Sequence, residues 1–198
     1  MARAPRRSAP DERRAQLVEL GLRLFSERSY DELSVDDIAR AAGISKGLLY
    51  HYFPSKRDYY VETVRAAAQL LLDRTDPAGG PEPETLLTGL DAYLAFVEEH
   101  AGAFVALMRS GVGQDAEVAA VLEATRARYV ARISARLGIT DPDPRLRIAL
   151  RGWLGFVEAA SIEWLDRRDL ARDALRDLLA QLLLVTLAAA DASPTSQA

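Results

Sequence analysis

The sequence predicts an all-α protein of about nine helices. Three observations carry that reading. Apolar residues recur at spacings of three and four over most of the chain. No stretch alternates apolar and polar residues for long enough to make a half-buried strand. Glycine, proline and serine fall where one periodic run stops and the next begins, rather than inside the runs.

The first helix starts near Pro10 and Asp11, with acidic residues early in it, where a helix dipole favours negative charge. Leu17, Leu20, Gly21, Leu24 and Phe25 form one stripe along it. Ser34 caps a short second helix, with Asp37 three residues on as a variant of the capping box. Val35, Ile38, Ala39 and Ala42 point inward from it, and Gly43 ends it. Ser45 caps a third short helix carrying Leu48, Leu49 and Tyr52. Pro54 stops that helix, and Ser55 caps a fourth that runs to about Thr75. The stretch from Asp76 to Pro83 is a loop rich in proline and glycine. Further helices are expected over 83–99, 101–110, 115–137, 144–167 and 170–190. Gly111-Val-Gly113 and the segment from Gly138 to Pro144 separate them, and a polar tail follows Asp191.

With 198 residues, 49% apolar and 27% charged, the chain is an ordinary globular composition for one large domain or two small ones. It has no cysteine, which excludes disulfides, thiolate metal sites and a cysteine nucleophile. No apolar run follows the basic N-terminus as a signal-peptide core would. The apolar stretch from Leu182 to Ala190 is half a membrane span and holds Thr186. These features lead us to expect a soluble, cytoplasmic protein with no membrane partner. The net charge of −4 is unevenly spread. Residues 1–57 hold 11 Lys and Arg against 8 Asp and Glu, and the remainder 14 against 21. A basic head on an acidic body is the asymmetry expected when one end meets phosphate.

The second and third helices, joined at Ala42-Gly43-Ile44, form a helix-turn-helix. Its second helix must be slim enough to enter the major groove and must carry hydrogen-bonding side chains at its N-terminal end. Lys46 reaches a base edge or a phosphate there, and Gly47 lets the backbone approach closely. Tyr50, His51 and Tyr52 present polar tips on flat rings. Lys56 follows Pro54 at the start of the fourth helix, where backbone N–H groups also favour anions. Leu49 and Phe53 are core candidates.

Leu24-Phe25, Tyr30, Ser34 to Ala39, Ala42 to Phe53 and Ser55-Lys56 together resemble the DNA-binding signature of the TetR family of transcriptional regulators. The resemblance covers roughly residues 13–60. It implies an N-terminal three-helix helix-turn-helix domain followed by a helical domain that binds a ligand and dimerises through its last two long helices. We accordingly divide the chain into a DNA-binding domain with a basic arm (1–54), a ligand-binding and dimerisation domain (55–191) and a tail (192–198). Carried over by position, Lys46 and Gly47 fall where family members touch bases. Leu48, Tyr50, Tyr52 and Lys56 fall where they meet phosphates or a thymine methyl. Ser34, Val35, Ser45 and His51 complete the candidate contact set. Two departures stand out: Ser29 occupies a position where glycine often precedes the tyrosine, and His51-Tyr52 reverses a commoner order.

Beyond residue 60 the resemblance rests on helix number and length alone. The helix over 144–167 is apolar around much of its circumference, so it should be covered on more than one side. Gly152, Gly155 and Ala159 allow close helix approach, and Leu175, Leu178, Leu182 and Val185 line the last helix. These residues are the candidate interface of a homodimer built as a four-helix bundle. Tyr93, Phe96, Phe104, Leu107, Met108, Tyr129, Trp153 and Phe156 are candidate pocket walls. Glu158 shares an apolar face and needs a partner, either Arg151 or a polar ligand group. The expected partners are palindromic operator DNA, a second copy of the chain and a small apolar effector of fatty-acid, acyl-CoA, steroid or aromatic type. Arg126, Arg128, Arg132 and Arg136 are suited to an acyl-CoA headgroup at the rim. No cofactor is expected.

Two other classes fit less well. A di-metal helical enzyme would use Glu-x-x-His pairs, but Leu48 and Val97 stand three before His51 and His100, the two histidines. No Ser/His/Asp set, phosphate loop or dinucleotide motif is present, so we expect no enzyme. A helical adaptor that binds protein through the same head would not need its positive charge. Within the resemblance, a repressor is the primary reading and an activator the alternative.

Overall fold

The computed structural model of the protein describes residues 9–76, 83–109 and 115–191. The basic arm, most of the loop expected at 76–83, the Gly111–Gly113 break and the polar tail lie outside those residues. The described residues form nine helices and no strand: α1 Ala9–Glu27, α2 Val35–Ala41, α3 Lys46–Tyr52, α4 Lys56–Arg74, α5 Pro83–Glu99, α6 Ala101–Arg109, α7 Ala116–Arg136, α8 Pro144–Arg167 and α9 Arg172–Asp191.

Local chemistry sets the ends. Ser34 Oγ accepts from the Asp37 amide at 3.1 Å while the Asp37 carboxylate accepts from the Ser34 amide at 3.1 Å, so the capping box is closed. Gly43 turns at φ 64°, a left-handed conformation that glycine adopts without strain. Ser45 Oγ takes the Leu48 amide at 3.2 Å, and Asp143 takes that of Leu146 at 2.9 Å ahead of Pro144. α9 starts two residues later than its apolar period suggests. Arg168 turns left-handed at φ 54°, and Trp164 Nε1 donates to Leu170 O at 2.8 Å. That bond commits the backbone through Leu170 to a connector.

The chain divides into two compact units, one of residues up to Gln69 with His100–Val121, the other of Leu70–Glu99 with residues from Leu122 on. α4 and α7 therefore each contribute residues to both units, a division that a cut after residue 54 does not capture.

In the first unit Leu17, Phe25, Leu33, Ile38, Leu49, Phe53 and Tyr59 are buried together. Tyr59 Oη donates to Leu17 O at 2.6 Å, tying α4 to α1, and the Phe53 and Tyr59 rings meet edge-on at 4.9 Å. Gly21 lies at this crossing. A Cβ there would collide with the Thr63 hydroxyl and come within 2.9 Å of Tyr59 Oη. Gly21→Ala is therefore expected to cost about 1–3 kcal/mol through overpacking, against a helix-propensity gain of up to ~1 kcal/mol. A urea midpoint equal to or above that of the unmodified protein would show that the crossing has slack.

In the second unit α9 packs against both α5 and α8. Leu94, Val97, Leu150 and Leu179 are sealed from solvent, and Trp153 Nε1 donates to Leu179 O at 3.0 Å. Leu175 is buried in this same core, which takes it off the outer face where its period had placed it. α8 buries one face through Leu150, Trp153, Leu154, Val157, Ser161 and Leu165. Its opposite face, with Ile148, Gly152, Phe156 and Ala159, stays exposed.

Candidate nucleic-acid interface and C-terminal cavity

α3 is two-sided. Leu49 and the following Phe53 are buried behind it, while Lys46, Gly47, Leu48, Tyr50 and His51 are exposed and Tyr52 is half-buried. A seven-residue helix has too little intrinsic stability to stand alone. Its buried side and its Ser45 cap hold it, leaving the other side free to present side chains. Ser34 is exposed and Val35 half-buried at the start of α2. The Asp37 carboxyl is held below its usual range, first by the Ser34 hydroxyl and amide.

The two lysines have different surroundings. Lys46 Nζ pairs with Asp36 at 3.1 Å across the turn, both partners exposed. Such pairs contribute about 0–1 kcal/mol, so a phosphate or base edge can displace Asp36 at little cost. Lys56 Nζ instead donates to Tyr30 O at 2.8 Å and Leu33 O at 3.0 Å, and stands 4.0 Å from the centre of the Tyr30 ring. Two of its three donors are spent inside the protein, clamping the loop that delivers the α2 cap. This clamp is invisible in the sequence, where Lys56 reads as a phosphate ligand alone. Lys46→Ala is accordingly expected to leave stability within about 0.5 kcal/mol while costing about 1–3 kcal/mol at one base position. Lys56→Ala should lower both the denaturation midpoint and affinity for all sequences alike. Loss of base preference in the Lys56 variant at unchanged stability would reverse the two assignments.

Arg57 is a residue the sequence reading missed. Its Nε and Nη2 grip the Asp115 carboxylate at 2.6 and 2.8 Å, and Nη1 reaches Glu117 at 2.8 Å. Asp115 also accepts the Glu117 and Val118 amides at the start of α7. The guanidinium holds the Asp115 carboxyl below its usual range. Nothing in local spacing pairs residues 58 positions apart; only the acidic cap just ahead of the α7 period hints at a basic neighbour.

The second unit contains two adjoining hollows. The smaller, about 80 Å³, is walled by α5, α7 and α8 together with Thr75, just past the end of α4, and includes Tyr93, Tyr129, Arg132 and Trp153. The larger, about 530 Å³, is apolar and lies among α5, α7 and α9. Thr85, Leu86, Ile133 and Arg136 are walls of both. Of the expected pocket residues, Tyr93, Tyr129 and Trp153 come together here. Phe96 and Glu158 belong to the same unit but line neither hollow, and Phe156 is exposed on the opposite face of α8. Phe104, Leu107 and Met108, on α6, belong to the other unit. Aromatic side chains had suggested the walls. Much of the wall is instead leucine and isoleucine, which no sequence pattern separates from ordinary core.

Glu158 has a partner other than the expected Arg151. Arg126 binds it at both carboxylate oxygens, 2.8 Å each, while Arg151 reaches Glu123 at 2.8 Å. A half-buried carboxylate with a bidentate guanidinium needs no ligand to satisfy it.

A two-sided short helix behind a glycine turn in the first unit, and an all-helical second unit with a half-open apolar hollow, are the features of a helix-turn-helix transcriptional regulator. The comparisons name its family. Residues 17–62 match the bacterial regulatory proteins of the tetR family, and residues 82–186 match the Tetracyclin repressor-like C-terminal domain. The fold is similar to that of a tetR-family transcriptional regulator from Streptomyces coelicolor, with a TM-score of 0.84 and 38% identity over 91% of this chain and 82% of that one. The chain belongs to the TetR family, whose members among its relatives are transcriptional regulators, not enzymes. Over 118 residues it is 29% identical to the transcriptional activator FasR of Mycolicibacterium smegmatis, covering 56% of this chain and 52% of FasR. Over 56 residues it is 36% identical to IcaR of Staphylococcus aureus, the negative regulator of the biofilm operon icaADBC, covering 28% of this chain and 30% of IcaR. The chain thus spans about half or less of those two relatives. No described helix is long and apolar enough to cross a membrane.

Proposed function

We propose that the protein is a repressor that holds a palindromic operator as a homodimer and releases it when a small apolar molecule enters its C-terminal unit. The observation that carries DNA reading is the exposed face of α3, where Lys46, Gly47, Tyr50 and His51 stand clear of a buried backing. In this reading Lys46 and Gly47 read base edges, Leu48, Tyr50 and Tyr52 meet phosphates or a thymine methyl, and Ser34, Val35 and Ser45 flank them.

The dimer is supported by the open faces of α8 and α9. A Cβ at Gly152 or Gly155 would meet nothing within 4 Å, so among the described residues the space they leave serves no helix of their own chain. Phe156, Leu178 and Val185 are exposed on the same two helices, with Ala159 and Leu182 beside them. Two heads related by a two-fold axis read half-sites about 34 Å apart, or a multiple.

The 530 Å³ hollow falls within the roughly 300–1,000 Å³ typical of small-molecule sites. α4 and α7 are the routes by which an occupant acts. α4 begins at Lys56, beside the reading head, and Thr75 just past its end walls the small hollow. α7 begins at the Arg57 clamp and carries Tyr129, Arg132 and Ile133 on the hollow. A shift of either helix alters head spacing, and a rigid operator tolerates little such change.

Repression needs only occupancy of the site, whereas activation needs a further surface for the transcription machinery. The FasR likeness keeps activation as the second reading. Sites selected from random duplex DNA should be palindromic, bind with a steep salt dependence and lower transcription from a promoter that contains them. A rise in transcription would establish the activator. A protein that sediments as a monomer yet binds a single half-site tightly would remove the dimer.

A further inference from the structure

The start of α2 carries two adjacent acids with different commitments. Asp37 closes the capping box and also accepts from Arg40 at 3.0 Å. Asp36 takes no part in that cap. Its Oδ2 accepts from Lys46 Nζ at 3.1 Å across the turn, and among the described residues that is the one hydrogen bond either side chain makes. The Asp36 side chain is 63% exposed and that of Lys46 48%. Lys46 follows the Ser45 cap directly, so the pair stands at the N-terminal end of α3. Gly47 beside it leaves open space, since a Cβ there would meet only Ser45 Oγ, at 3.9 Å. An exposed carboxylate on a face that approaches phosphates lowers affinity for every sequence. Its use is in discrimination, which a group that repels wrong partners can supply.

We propose that Asp36 is a specificity-determining residue of this head: with Lys46 it reads one G·C pair of each half-site, Lys46 donating to the guanine and Asp36 accepting from the cytosine. This rests on the reading of α3 as the face that meets DNA. The ion pair need not open to meet a base edge. Lys46 Nζ has two further hydrogens and the carboxylate further lone pairs. Guanine O6 and cytosine N4 are hydrogen-bonded to each other at about 2.9 Å, close to the 3.1 Å between Nζ and Oδ2. Laid edge to edge, the four groups close a ring in which Nζ and N4 donate while O6 and the carboxylate accept. The atoms at either end select the base pair. Beyond O6 lies guanine N7, an acceptor for the third ammonium hydrogen, and beyond N4 lies no acceptor to repel the carboxylate. At T·A the ammonium would meet the thymine methyl, and the carboxylate would face adenine N7, acceptor against acceptor. Reversing either pair sets the ammonium against an amino group.

The test uses the full chain, unmodified and as Asp36→Ala and Lys46→Ala, in selection from random duplex DNA followed by direct binding to the selected site. The unmodified chain should enrich one G·C pair per half-site whose preference both variants lose. Substituting that pair should cost the unmodified chain roughly tenfold in affinity and the Asp36→Ala chain about twofold or less. Asp36→Ala should also bind random duplex about threefold more tightly, because a charge repelled by phosphate is gone. Its melting midpoint should hold, since the Ser34 cap does not involve Asp36. Replacing the cytosine of that pair by N4-methylcytosine keeps the base pairing and puts a methyl where the free amino hydrogen stood. It should weaken the unmodified chain about as much as a substituted pair and leave Asp36→Ala nearly unaffected. Tighter binding of Asp36→Ala to all DNA with unchanged base preference, loss of preference at different positions in the two variants, or an equal response of the unmodified and Asp36→Ala chains to N4-methylcytosine each overturns the proposal. A site enriched identically by all three chains defeats this proposal alone. An unmodified chain that enriches no sequence defeats the regulator reading, and this one with it.

Discussion

Phe156→Glu with Val185→Glu is expected to split the protein into monomers and to weaken operator binding by roughly 10²–10⁴, the advantage of linking two heads. Phe156 is 45% and Val185 63% exposed in the single chain, on helices whose other faces are fully committed to the core. Glutamates there cost a lone protomer little, within about 0.5 kcal/mol, because both sites are already in water. In a dimer they would be buried without partners, at several kcal/mol per charge. The checks are sedimentation velocity, a mobility shift on the selected operator and a thermal melt. An unchanged dimer would move the interface off these helices. Monomers that still bind the full operator tightly would show that dimerisation is dispensable for DNA binding.

Phe53→Ala is expected to destabilise the first unit by about 3–5 kcal/mol and to abolish operator binding at working temperatures. Phe53 is 1% exposed and ends α3. Its amide donates to Leu49 O at 2.9 Å, its ring meets Tyr59, and the Arg14 guanidinium lies 5.0 Å above it. Removing the ring opens a cavity directly behind a seven-residue helix that only its packing and its Ser45 cap sustain. Phe53→Leu should recover most of the loss, since volume rather than chemistry matters there. Helicity should fall only in part, because the second unit keeps its own core. Normal operator binding by a folded Phe53→Ala protein would mean that α3 is held by something other than its buried face.

On the proposed switch, uptake of an effector and grip on the operator are linked reciprocally. Whatever factor the effector takes from DNA affinity, DNA must take from effector affinity. The Arg57 clamp matters here, since it fixes the start of α4 to the start of α7.

Helix ends were legible in the sequence because caps act over three or four residues. Ser34 with Asp37, Ser45 with Leu48, and Gly43 alone each set a boundary through a single local hydrogen bond or backbone preference. The inward face of α3 was equally legible, since Leu49 and Phe53 repeat at helical spacing. The family could be read because its signature is confined to one contiguous stretch. The walls of the cavity and the partners of charged groups were not legible. Glu158 chose Arg126, 32 positions away, over Arg151, one helical face along, because crossing geometry put that guanidinium opposite it. Lys56 turned inward because the loop over residues 28–34 offered it two carbonyls.

By itself, then, the sequence determined the nine helices, their caps and the face that α3 shows, since each depends on neighbours within a turn or two. The tertiary structure alone decided which residues line the hollow, which lysine is turned inward onto backbone carbonyls and which stays in an exposed pair, and which glycines look outward onto open space. Those outcomes depend on distances between helices far apart in the chain, and no periodicity encodes where two helices cross.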